Sequence, residues 1–132
     1  MEKKYELRSE AGALAPFRTK LRAWLQKAGL DEKKAGEVIL AADEALANIC
    51  RHAYPDKPGK IFITLQDEKD RIEIQIEDSG KKFDPLQMPD PELPPVKPGG
   101  LGIYFMKKLM DQVVYDETHQ QGNLLKLVKF KK

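Results

Sequence analysis

The sequence predicts an α/β (α+β) two-layer sandwich with helices on one face of a β-sheet. Two paired stretches, residues 59–78 and 113–130, alternate apolar with polar residues as half-buried hairpins do. Three other segments space their apolar residues for helices. No internal repeat or change of composition divides the 132 residues, a length suited to a single domain spanning 1–132.

Taken in order, "KYELR" (residues 4–8) reads as a short edge strand. "APFRTKLRAWLQKAGL" puts Phe17, Leu21, Trp24 and Leu25 at helical spacing, with Gly29 as C-cap. Asp31 is a good N-cap for a second helix that runs to about Ala53 and stops at Pro55. "GKIFITLQ" and "DRIEIQIED" form an antiparallel hairpin, and "VVYDE" with "NLLKLVKF" forms the closing one. Between them lies "KKFDPLQMPDPELPPVKP", a proline-rich loop at about 81–99, followed by "GGLGIYFMKKLMD", which opens on glycines and becomes an amphipathic helix. A loop this long between core elements is usually functional, and it reads as a lid.

Composition narrows the function. A net charge of only +2 gives no electrostatic case for nucleic acid or membrane binding. Lys129, Lys131 and Lys132 read as solvated strand ends. The lone Cys50 permits no intramolecular disulfide, the first residues carry no apolar signal core, and no apolar run approaches the ~18 residues of a membrane span. The simplest location is cytoplasmic.

Chemistry concentrates in three places. On the second helix, Val38, Ile39, Ala42, Ala45, Leu46, Ile49, Cys50 and Ala53 share a broad apolar face, which makes Cys50 a small buried hydrophobe. Glu37, Glu44, Asn48, Arg51 and His52 gather opposite, with Leu40 and Ala41 among them. A solvated stripe is the plain reading, but Asn is a poor helix former, and Leu40 and Ala41 argue against full exposure. Around a nucleotide triphosphate the set makes sense. Asn48 offers an amide oxygen to Mg²⁺, Glu44 can take a proton from a hydroxyl, and Arg51 can pair with a phosphate oxygen. His52 either joins that pairing or packs.

In the second place, Asp78 continues the inward face of Ile72, Ile74 and Ile76. A carboxylate there needs a donor, such as an adenine exocyclic amine, although "DSG" also reads as a simple turn. Gly80 leaves room for a ring. Ser79 has no Asp–His support, so a hydrolase triad is rejected. The third place is "PGGLG", where Gly99, Gly100 and Gly102 let backbone N–H groups approach phosphate at a helix N-terminus, without the spacing of a Walker loop or a Rossmann fingerprint.

Together, Glu44-x-x-x-Asn48, Asp78-x-Gly80 and Gly100-x-Gly102 after a long loop resemble the N, G1 and G2 boxes of the GHKL ATPase superfamily. Within it, "DEALANICRHAYP" and "GGLGIYFMKKLMD" look most like the bacterial anti-sigma-factor serine/threonine kinases. The resemblance implies a Bergerat-type fold, a mixed sheet with helices on one face and ATP between helix and lid. It also implies Mg²⁺ on Asn48, Glu44 as catalytic base, adenine N6 on Asp78, and Gly80, Gly100 and Gly102 beside the nucleotide. Lys97 is the nearest basic lid residue for the γ-phosphate, and its plain reading is a solvated lysine. Implied partners are a small antagonist protein phosphorylated on serine, a sigma factor, and a second copy of the chain through the first strand and helix. The alternative reading is a non-catalytic, ATP-dependent protein-binding switch.

Overall fold

The structure is a computed structural model and describes residues 2–87 and 101–132. Its elements are β1 (Glu2–Arg8), α1 (Ala11–Lys27), α2 (Glu32–Asn48), a π-helical turn (Ile49–Ala53), β2 (Lys60–Asp67), β3 (Arg71–Asp78), a 3₁₀ turn (Pro85–Gln87), α3 (Leu101–Leu109), β4 (Gln112–Tyr115) and β5 (Asn123–Phe130). The five strands form one sheet in the order β1-β2-β3-β5-β4.

The two-layer arrangement is as the sequence predicts, with one difference in the sheet. Every pairing among the described residues is antiparallel. β3 and β4 do run in the same direction, as a crossover through α3 requires, but β5 lies between them, so no two neighbours are parallel.

One sheet face is buried. Ile61, Ile63 and Leu65 of β2, Ile72, Ile74 and Ile76 of β3, and Leu125 and Leu127 of β5 pack under the helices. Phe62 and Val114, on the opposite face, are exposed. Helix α1 contributes Phe17, Leu21, Trp24 and Leu25 to this core, so Trp24 is a core residue and not a surface anchor.

Local signals place the helix ends. At the end of α1, Gly29 adopts φ +94°. Its N–H donates to Gln26 O (3.1 Å) and that of Leu30 to Leu25 O (3.2 Å), a Schellman ending. Asp31 caps α2 by accepting from Lys34 N at 2.8 Å.

Two expectations change. Helix α2 does not run regularly to Ala53. After Asn48 it loosens into the π turn, closed by Tyr54 N donating to Ile49 O at 3.0 Å. Cys50 lies in that turn and is only half-buried, with burial raising its thiol pKa. Lys129 is not a solvated end either. It is 8% exposed, donates to Leu109 O, and pairs with Glu37 at 3.4 Å. It thereby ties β5 to α3 and α2.

Candidate functional site

Strand alternation carries Asp78 inward at the end of β3, where it is 1% exposed. Its Oδ1 accepts from Gly80 N (2.9 Å) and from Asn123 Nδ2 (3.0 Å). Its Oδ2 is buried with no hydrogen-bond partner among the described residues. Burial raises the carboxyl pKa, opposed by the Asn123 and Gly80 bonds and by the charges of His119 and Lys82. A half-paired buried carboxylate is costly unless something completes it. Asp78 lines a cleft between α2 and the sheet, walled by Ala45, Ile76 and Leu125 and shared with Asn48, Phe83 and Asn123.

Asn123 is the residue that the sequence reading missed. Sheet register sets it directly opposite Asp78. Its Nδ2 also donates to Lys81 O (2.8 Å), and its Oδ1 accepts from Phe83 N (2.8 Å) and Tyr115 Oη (2.6 Å). With both donors and both lone pairs engaged, the amide has no freedom to turn. It therefore fixes which oxygen of Asp78 faces the cleft. In the sequence, Asn123 reads only as the first residue of the closing strand, and only the pairing of β3 with β5 reveals the contact.

Gly80 meets protein on its crowded side. A Cβ there would lie 2.3 Å from Ala53 O, and the next amide, Lys81 N, donates to that same oxygen at 2.8 Å. Gly80 thus lets the end of β3 close on the π turn. Tyr54 fastens the junction, donating to Lys60 O (2.8 Å) and accepting from Ser79 N (2.7 Å).

The polar stripe of α2 divides by neighbour. Ala41 and Asn48 are buried at 1% and 4%, whereas Leu40 is 55% exposed and gives no sign of cover. Asn48 Oδ1 accepts from Arg51 Nη2 at 2.8 Å, and its Nδ2 is buried without a partner among the described residues. The same Arg51 nitrogen donates to Glu44 Oε1 at 3.1 Å. On the other side Glu44 abuts α3, where a Cβ on Gly102 would lie 2.0 Å from the Glu44 carboxyl carbon.

His52 stacks on Phe83, with ring centroids 4.0 Å apart and planes inclined by 14°. Burial first, then the Arg51 charge, lowers its pKa. Thus Glu44, Asn48 and Arg51 form one cluster joined to Gly102. Asp78 and Phe83 line the neighbouring cleft together with Asn48, with His52 stacked on Phe83 and Gly80 bonded to Asp78. Lys97, Gly99, Gly100 and the lid beyond residue 87 lie outside the described residues.

This geometry has known relatives. Residues 7–129 match the histidine kinase-like ATPase domain. The chain belongs to that family. Among its ATPase-family relatives, the serine/threonine-protein kinase BtrW of Bordetella bronchiseptica is 31% identical over 124 residues, covering 87% of each chain. The serine-protein kinase RsbW of Staphylococcus aureus is 30% identical over 138 residues, covering 94% of this chain and 86% of the relative. Among solved structures, the RsbU and RsbW domains of Rv1364c from Mycobacterium tuberculosis superpose with a TM-score of 0.70 at 17% identity. That match covers 98% of this chain and 32% of the other, and it shows the histidine kinase-like ATPase fold.

Proposed function

We propose that the chain is a single-domain, ATP-dependent protein-serine kinase that acts as an anti-sigma factor. It phosphorylates a serine on a small antagonist protein, and its other partner is a sigma factor. The observation that carries this reading is the buried, unpaired Asp78 Oδ2 in an apolar cleft beside the Glu44–Asn48–Arg51 cluster. An acceptor fixed in such a place suits an aromatic ring bearing an exocyclic amine, which adenine has. The kinase names carried by relatives about 30% identical support the same reading.

The residues fit the cofactor. Asn48, which lines the cleft, offers an amide oxygen, and the Glu44 carboxylate shares the same Arg51 nitrogen with it. Among the described residues no group of three His, Cys, Asp or Glu side chains could hold a metal, so a cation here would complete its shell with phosphate and water, as Mg²⁺ does. When bound, Mg²⁺ and ATP supply the transferable γ-phosphoryl group and neutralise its charge.

In this reading Asp78 accepts from adenine, and Asn48 holds the cation. Glu44 accepts the proton of the attacking serine hydroxyl. Gly80, Gly100 and Gly102 border the nucleotide, and His52 closes its edge. Lys97 and the lid at about 81–99 cover the phosphates. The free edge of β1, with α1 beside it, serves a homodimer.

A second reading has one observation in its favour. Glu44 is ion-paired with Arg51 at 3.1 Å, which suits a binding switch that orders its lid without transferring phosphate.

Thermal unfolding with Mg²⁺ and ATP, beside ADP, GTP and Asp78→Asn, tests the nucleotide site. At about a hundredfold excess over Kd, binding adds ~2.7 kcal/mol, a shift of several degrees. An adenine-selective shift lost in Asp78→Asn is the expected result. No shift in folded protein at saturating nucleotide would leave only a nucleotide-independent partner module.

A further inference from the structure

The Arg51 side chain stands where a cation would. One nitrogen, Nη2, lies 3.1 Å from Glu44 Oε1 and 2.8 Å from Asn48 Oδ1, so both oxygens converge on a single positive centre. These are the two oxygens that the proposed function assigns to the base and to the metal. We propose that Arg51 is a positioning residue that stands in for the metal in the nucleotide-free protein. It holds the Glu44 carboxylate and the Asn48 oxygen together until the cation arriving with nucleotide displaces it. This inference rests on the ATP-dependent reading.

Three features support the role. First, guanidinium donates hydrogen bonds and accepts none, so it keeps the Asn48 amide with its oxygen outward. Among the described residues no other partner holds that amide, since Nδ2 is buried and unbonded. The enforced orientation is the one that a cation needs. Second, the Glu44 carboxylate is confined between Arg51 and the backbone of Gly102. Releasing Arg51 frees the side on which the cluster opens. Third, Arg51 lies in the π turn with its side chain 58% exposed, so its ion pair is weak and readily exchanged.

The latch exchanges one positive centre for another and needs no proton transfer. It responds to metal and nucleotide. Before they bind, the Glu44 carboxylate is held by the Arg51 guanidinium. After exchange it is no longer tied to Arg51 and can turn toward the acceptor hydroxyl. The same pairing that favours a non-catalytic reading thus becomes the resting state of a catalytic one.

The test is ATP affinity by calorimetry at saturating Mg²⁺ and in EDTA, for the parent, Arg51→Gln and Arg51→Lys. The quantity read is the ratio of the two affinities. If Arg51 must be displaced by the cation, Arg51→Gln raises that ratio by about two- to fivefold, the range that an exposed pair spans, while Arg51→Lys restores the parent ratio. An equal loss of affinity with and without metal in Arg51→Gln would make Arg51 a phosphate ligand and overturn the proposal. An unchanged ratio with unchanged affinities overturns it also. Both outcomes leave the ATP reading standing, whereas a parent that binds no ATP in either buffer removes both.

Discussion

Asp78 carries a cost in stability that the proposed nucleotide site would offset. Its pKa is raised above the ordinary 3.8, so the protonated form favours the fold. That contribution is fully present below the unfolded value and is lost as pH rises through the raised one. At neutral pH the nucleotide-free protein therefore bears the cost of a buried, half-paired charge. Asp78→Asn should be at least as stable as the parent by urea unfolding, although it binds no ATP. The stability difference, parent minus variant, should fall as pH is raised from just above the carboxyl's ordinary value to neutrality. A variant less stable than the parent at neutral pH would mean that the two hydrogen bonds to Oδ1 outweigh the burial. Gly102→Ala makes the opposite division. The atoms nearest the new methyl are the end of the flexible Glu44 side chain, and Ala is the better helix former by about 0.5–1 kcal/mol. Stability should hold or rise, while phosphoryl transfer, read as ADP formation with the acceptor protein, should fall about a hundredfold from a displaced base. Transfer at the parent rate would remove Glu44 from that role.

At the scale of elements, what the sequence disclosed depended on whether the signal was local. The alternation of Ile72, Ile74, Ile76 and Asp78 lies within one strand, and it located the buried carboxylate correctly. The cap at Asp31 and the αL residue at Gly29 are equally local, and both are found. Asn123 was hidden because its partner is 45 residues away and the contact depends on sheet register. The π turn was hidden because apolar periodicity counts residues without reporting how far each one rotates. Lys129 read as solvated because nothing adjacent in sequence announces Glu37 or the end of α3. The reading of Gly80 as space for a ring overlooked the nearer constraint. Its missing Cβ admits the backbone of Ala53, and neither backbone can step aside cheaply. Gly80→Ala should therefore cost about 2–3 kcal/mol in urea unfolding, the range of overpacking. It should cost more than Gly102→Ala, whose neighbour is a mobile side-chain end. Equal effects of the two substitutions would show that the π turn yields as easily as Glu44 does.

For the molecule as a whole, the site is an assembly of α2, α3 and the ends of β3 and β5, so its geometry depends on how α3 is held. Two contacts define that hold. At its start Gly102 lies against Glu44, and at its end the Leu109 carbonyl accepts from Lys129, which also pairs with Glu37 on α2. Helices α2 and α3 therefore run antiparallel and are fastened at both ends, with Ile103, Met106 and Met110 buried between the fastenings. Lys129 caps the negative end of α3 from inside the protein, where its ammonium is shielded from water. Lys129→Ala should lower unfolding stability by about 1–3 kcal/mol, because it leaves the Leu109 carbonyl and the Glu37 carboxylate without their donor. Lys129→Met keeps the stem and removes the desolvated charge, so it should lose less than the alanine variant. The functional readout should follow a different order. Both variants release the far end of α3, and both should weaken phosphoryl transfer through the Gly102–Glu44 contact while ATP still binds at Asp78. If Lys129→Ala unfolds at the parent's urea concentration and transfers phosphate at the parent's rate, then apolar packing alone positions α3. The buried lysine would then have no part in building the site.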